Sequence, residues 1–349
     1  MKRKLAALAT GGLLALALCG GAAAGPYEDA VGAYQHHDYA AALKLLLPLA
    51  EQGNPQAQND LGRIYENGQG VAKDERQALA WYRKAADQGF DQAQFNLGAM
   101  YDLGEGAPQD LATAFVWYRK AADQGHVLAI YNVGSMYERG QGAAQDYAEA
   151  VSWYRRAADK GFEQAEHNLG VMYERGMGVT QDYAQAAQWY RKAAEQDDAA
   201  AQANLGSLYF GGKGVAQDYA EAVRWTRKAA EQGNPPAEVN LSFAYANALG
   251  VAQDNGEAYR WSLKAADQGN ASGQDDVAFD YSNGLGVKQD IVQAYMWFSL
   301  AADSADDSAN DKIRAYARQS RDLLAAKMTP AQLAEAQRMA RAWAAKPAP

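Results

Sequence analysis

The chain has 349 residues, with 33 lysines and arginines against 42 aspartates and glutamates, a formal net charge of −9. Phosphate binding needs a basic surface, so this balance argues against a nucleic-acid partner. Its one cysteine, Cys19, leaves no disulfide framework to build on.

The chain opens with Met1-Lys2-Arg3-Lys4, an apolar run LAALATGGLLALALC, and a small-residue stretch GGAAAG. These are the three parts of a secretory signal peptide, expected over residues 1–24 with cleavage after Ala22-Ala23-Ala24. The run is shorter than the ~20 apolar residues that span a bilayer. Leu16-Ala17-Leu18 before Cys19 resembles a lipobox in part, so a lipid anchor at Cys19 stays open as the alternative. Without Lys2, Arg3 and Lys4 the chain holds 30 basic against 42 acidic residues, a net charge of −12. No later stretch has 18 consecutive apolar residues, so no transmembrane segment is expected and the exported chain is expected to be soluble, periplasmic or secreted.

Residues 25–53 read as a short N-terminal capping helix pair, with Asp38, Ala42 and Gly53 in register with the repeated residues downstream. From 54 to 305 the chain repeats. Trp81, Trp117, Trp153, Trp189, Trp225, Trp261 and Trp297 stand 36 residues apart. Tyrosines from Tyr65 to Tyr281, glycines from Gly70 to Gly286 and aspartates from Asp74 to Asp290 keep the same step. Seven such units predict an all-α solenoid. In each, Ala57, Leu61 and Tyr65 mark one face of a helix A, and Gly68-Gln69-Gly70 ends it. Asp74 caps a helix B, with Gln77 placed for a capping box, and Ala78, Trp81 and Ala85 form its buried face. Gly62 beside Leu61 predicts a close helix approach. Arg83 and Asp87 stand four apart, as do Arg119/Asp123, Arg155/Asp159 and Arg191/Glu195, and predict a solvated outer stripe.

Residues 306–349 read as C-terminal capping helices and a tail. Ser299 and Leu300 replace the usual charged residues, which requires a cover. The candidates are a helix from about Ala309 to Met328 and another starting Thr329-Pro330-Ala331-Gln332, with an N-cap, a proline at N1 and a capping-box glutamine.

The pattern LG-x-x-Y, G-x-GV, D-x-x-x-A-x-x-WY-x-KAA-x-QG, as in Leu61 to Gly89, resembles the Sel1-like repeat, a relative of the tetratricopeptide repeat. The resemblance implies an α/α superhelix of antiparallel helix pairs, right-handed, that serves as a protein-interaction scaffold. Departures include Ala248 for the first loop glycine, Ser242 and Ala278 for the helix-A glycine, and Thr226, Ser262 and Phe298 for the tyrosine after tryptophan.

Little in the chain suggests catalysis, a cofactor or a metal. The four histidines, His36, His37, His126 and His167, include no i, i+4 pair. No Ser-x-x-Lys or Gly-x-Ser-x-Gly occurs, and the Gly-x-Gly loops lead out of a helix rather than a strand. The expectation is therefore a non-enzyme. Function is sought where the copies disagree, on helix A, which lines the concave side in related superhelices. Six residues before each tyrosine the series includes Phe95, Tyr131 and His167; just after it come Glu66, Asp102, Glu138 and Glu174, then Phe210. Phe243 and Phe279 lie on the same stripe. One reading is a groove with an aromatic row beside an acidic row, suited to a protein or peptide with apolar anchors and Lys/Arg. The other is that the aromatics pack between neighbouring helices and the acids form a solvated rim. An envelope glycan, peptidoglycan or β-lactam ligand is the alternative class of function.

Overall fold

The computed structural model describes residues 25–304 and 311–345. The expected signal peptide lies outside the described residues. Among them are eighteen α-helices and no strand, and no helix is long and apolar enough to cross a membrane. Backbone contacts divide the chain into two compact units, residues up to 165 with 177–179, and 166–176 with 180 onward.

The first unit holds α1 (Pro26–Gln35) and α2 (Tyr39–Glu51), then the A/B pairs α3 (Pro55–Asn67) and α4 (Glu75–Asp87), α5 (Asp91–Leu103) and α6 (Leu111–Asp123), α7 (Val127–Arg139) and α8 (Tyr147–Ala158). Helix α9 (Glu163–Arg175) is divided between the units. The second continues with α10 (Tyr183–Glu195), α11 (Ala199–Gly211), α12 (Tyr219–Glu231), α13 (Pro235–Ala246), α14 (Asn255–Asp267), α15 (Ala271–Asn283), α16 (Ile291–Ala302), α17 (Asp311–Ala325) and α18 (Pro330–Ala344).

The repeated residues close each pair in a fixed way. Asn54 caps α3 by accepting from the Ala57 amide, and Gly68 ends it at φ +66°. Asp74 caps α4, accepting from the Arg76 and Gln77 amides. The other half of the expected capping box is not made, because the Asp74 amide already donates to the Tyr65 carbonyl at 2.9 Å. The same bond joins Asp110 to Tyr101, Asp146 to Tyr137, Asp182 to Tyr173, Asp218 to Tyr209, Asp254 to Tyr245 and Asp290 to Tyr281. The tyrosine and aspartate that share the 36-residue step are thus hydrogen-bonded through the backbone in all seven units.

Ala57, Leu61, Ala78 and Ala85 are fully buried, and Trp81 is nearly so. A Cβ at Gly62 would lie 2.6 Å from the Tyr82 ring, so the helix-A glycine makes room for the tyrosine after tryptophan. The basic stripe lies over the tryptophans: Lys84 sits 3.7 Å from the Trp81 ring centre, Lys120 3.8 Å from Trp117 and Lys264 3.9 Å from Trp261. Its arginines do not form the i, i+4 ladder expected from Arg83/Asp87 and Arg191/Glu195. Arg83 and Arg191 instead donate to the hydroxyls of Tyr101 and Tyr209, and Arg227 donates to Tyr245 at 2.8 Å. Each of these bonds ties a helix B to the next helix A.

At α16 the covering cation is replaced by Leu300, which is buried. Trp343 of α18 packs edge-on against Trp297 with ring centres 5.8 Å apart. Helices α17 and α18 both pack on α16, and Thr329 and Gln332 close a complete capping box. The expected C-terminal cover is therefore present.

Candidate partner-binding site

In the first unit the predicted aromatic row turns inward. Phe95 is 2 % exposed; it stacks on His126 at 4.6 Å and tilts against Tyr118 at 5.5 Å. Tyr131 is buried against Tyr154 at 5.5 Å and Phe162 at 5.1 Å. In the second unit His167 lies against the Tyr190 ring, with Nδ1 3.4 Å from an Asp198 oxygen and Nε2 3.4 Å from the Asn204 amide. Burial raises the Asp198 pKa, but the bonds from His167 and the Ala201 amide outweigh it and leave the carboxyl lowered. All three side chains pack between neighbouring helices.

The acidic row is bonded to the same tyrosines. Glu66 accepts from the Tyr82 hydroxyl at 2.5 Å, Glu138 from Tyr154 at 2.5 Å and Glu174 from Tyr190 at 2.6 Å. Burial and the Asp102 carboxylate both push the Tyr118 pKa upward. Burial raises the Glu66 carboxyl despite its bond from Tyr82. Each acid is half-buried. Sequence reasoning missed this pairing, although a signal was present. Acid and tyrosine stand sixteen residues apart and disappear together: Phe210 faces Thr226 in the series, Ala246 Ser262 and Ser282 Phe298. Between α5 and α7 a cavity of about 410 Å³ brings together Phe95, Ala99, Asp102, Tyr118, Ser135 and Arg139.

The second unit presents its aromatics differently. Phe210 is half-buried near Tyr219, at 6.2 Å. Phe243 is 57 % exposed and Phe279 is 44 % exposed. They occupy the same register on α13 and α15, which touch. Three carboxyls, Asp275, Asp276 and Asp280, lie on α15 beside Phe279. Burial pushes each up to about 7, and for Asp276 the neighbouring Asp275 and Asp280 add to the shift. Asp280 stands where other A helices carry Ile64, Met100, Met136, Met172, Leu208 or Ala244. Among the described residues, no group of three or more His, Cys, Asp or Glu side chains is arranged to hold a metal ion.

The Sel1 repeat family matches residues 24–54, 55–90, 91–126, 127–162, 163–198, 199–234, 235–270 and 271–306.

The chain belongs to the Sel1 repeat family.

Its first match covers the segment read from the sequence as an N-terminal cap. A Sel1 repeat protein from Oxalobacter formigenes is 38% identical over 69% of this chain and 99% of its own, with a TM-score of 0.65. The c5321 protein of uropathogenic Escherichia coli, a protective antigen with the same repeat fold, is 31% identical over 93% of this chain and 85% of its own, at TM-score 0.46. A comparison with curated proteins finds no match. Sel1 repeat proteins are generally protein-interaction scaffolds, and the fold is typically non-catalytic.

Proposed function

We propose that this Sel1 repeat protein is an exported, non-enzymatic scaffold that binds a partner protein or peptide through the helix-A face of its second unit. One observation carries the reading: two exposed phenylalanines, Phe243 and Phe279, repeat at one register on adjacent helices. Exposed aromatics held on a rigid repeat are the usual anchors of an interface. Two such anchors at one register suit a partner that presents an apolar side chain to each. Export rests on the basic, apolar and small-residue succession at the N-terminus.

The test is capture from envelope extract, or cross-linking in cells followed by mass spectrometry, with Phe243→Ala/Phe279→Ala against wild type. Both side chains are exposed, so the variant should fold, as its circular dichroism would confirm. Loss of one specific partner supports the face. Unchanged capture by the folded variant removes it. Phe95 and Tyr131 are unsuitable probes, because truncating them disturbs the helix packing itself.

A further inference from the structure

Several A helices are capped in their first turn by a short polar side chain. Asn54 accepts from the Ala57 amide, Asp198 from Ala201, Asn234 from Ala237 and Asn270 from Gly273. Helix α7 is capped by an imidazole instead: His126 Nδ1 accepts from the Ala129 amide at 3.2 Å. A ring nitrogen accepts only when it carries no proton, so this cap exists only while His126 is neutral. The same position before α5 holds Phe90, which makes no side-chain cap, so an A helix of this chain folds without one.

The other ring nitrogen is held by a directed chain of amides. His126 Nε2 lies 3.3 Å from Gln92 Oε1. Gln92 donates its own amide to Asn96 at 3.1 Å, and Asn96 donates to Asn59 at 2.9 Å. Asn59 and Asn96 are buried. Each amide donates forward, so the Gln92 oxygen faces His126 as an acceptor and Nε2 carries the proton. The ring is half-buried and stacks on Phe95 at 4.6 Å, a residue that also lines the cavity between α5 and α7. The charged groups near it are Asp91 on α5, Asp123 at the end of α6, which pairs with Arg156 of α8 at 4.0 Å, and Lys160 after α8, whose Nζ would lie 3.6 Å from a Cβ on Gly125. The first two turns of α7 carry no charged side chain. Burial lowers the His126 pKa and outweighs the pull of Asp91.

We propose that His126 is an acid-sensitive cap, which holds the first turn of α7 while its imidazole is neutral and releases it when the ring takes a proton. Protonation turns Nδ1 into a donor facing the Ala129 N–H. It also places a positive charge at a helix N-terminus, where the macrodipole disfavours it. Nε2 keeps its bond to Gln92, so the change is confined to the start of α7. The folded pKa lies below the unfolded value of 6.5, so the cap's contribution is present above that value and is lost as pH falls through the folded pKa. The device lies in the first unit and does not depend on the phenylalanine face of the second.

The test is NMR of the full chain at pH 7.5 and pH 5, reading the His126 ring nitrogens and the hydrogen-exchange protection of the Ala129 amide. The Ala57 amide, capped by Asn54 in the same unit, is the internal control. His126→Asn supplies the cap that other A helices use and removes the titration. At pH 7.5 the ring should be neutral with its proton on Nε2. At pH 5 it should be charged, and Ala129 protection should fall about fivefold, the worth of one helix cap, while Ala57 holds. His126→Asn should keep Ala129 protected at both pH values. A proton on Nδ1 at pH 7.5, a ring still neutral at pH 5, unchanged Ala129 protection, an equal fall at Ala57, or the same fall in His126→Asn would each overturn the proposal. The tautomer and the Ala129 and Ala57 readings need only the wild type, so they decide the matter even if the variant folds poorly.

Discussion

Asp276 shows how one side chain can make this fold depend on pH. Its carboxyl is raised to about 7, by burial first and then by Asp275 and Asp280. The unfolded value is near 3.8, so the folded state holds the proton more tightly. That contribution is fully present below the unfolded pKa and is lost as pH rises through about 7. Asp276→Asn should therefore raise the melting temperature at pH 8, by on the order of 2 kcal/mol of stability, and change it little at pH 4. Thermal unfolding of both proteins across this window checks the sign; an equal effect at both pH values would show that Asp276 is not the titrating group. The acid–tyrosine bonds make a second residue-scale case. Tyr154→Phe leaves the half-buried Glu138 without its hydroxyl donor and should cost about 1–2 kcal/mol. In Glu138→Gln/Tyr154→Phe, denaturant unfolding should recover part of that loss, because donor and acceptor charge are removed together.

At the scale of the element, the loops between helices A and B decide which substitutions a repeat tolerates. Gly250 has φ +70°, and a Cβ there would lie 2.1 Å from the Tyr219 carbonyl oxygen. Gly250→Ala should thus destabilise by more than about 2 kcal/mol, from backbone strain plus collision. Two residues earlier, Ala248 already occupies the left-handed region at φ 56° and is exposed. Ala248→Gly should stabilise by about 1 kcal/mol. Urea midpoints of the two variants should move in opposite directions. The contrast explains why the first loop glycine varies in this chain while the second, packed on the preceding helix B, does not.

At the scale of the whole molecule, a repeat protein gains stability from neighbours, so its last repeat needs a substitute for the next copy. Here α18 provides it. Trp343→Ala should uncover Trp297 and Leu300, cost about 3 kcal/mol and speed amide exchange in α16 well before it affects α4. Tyr82→Phe and Trp343→Ala share no contact, and in calorimetry their effects should add within about 0.5 kcal/mol.

The 36-residue period, the apolar faces of both helices, the Asp74-type caps and the need for a C-terminal cover were all legible in the sequence. Each is a local or periodic requirement, and seven copies average out the exceptions. The use of individual side chains was not legible, because it depends on which atoms face one another across helices. The capping box stays half-made because the Tyr65 carbonyl takes the Asp74 amide. Arg83 finds a phenol on the next helix rather than Asp87 on its own. Phe95 and Phe243 lie on the same predicted stripe, yet one is buried and the other exposed. The difference is the place in the repeat: Phe95 stands six residues before its tyrosine and packs on Tyr118 and His126, whereas Phe243 stands two residues before Tyr245, one helical turn further along the stripe. The sequence alone determined the brick and its repetition; only the tertiary structure decided which faces of the brick remain open to a partner.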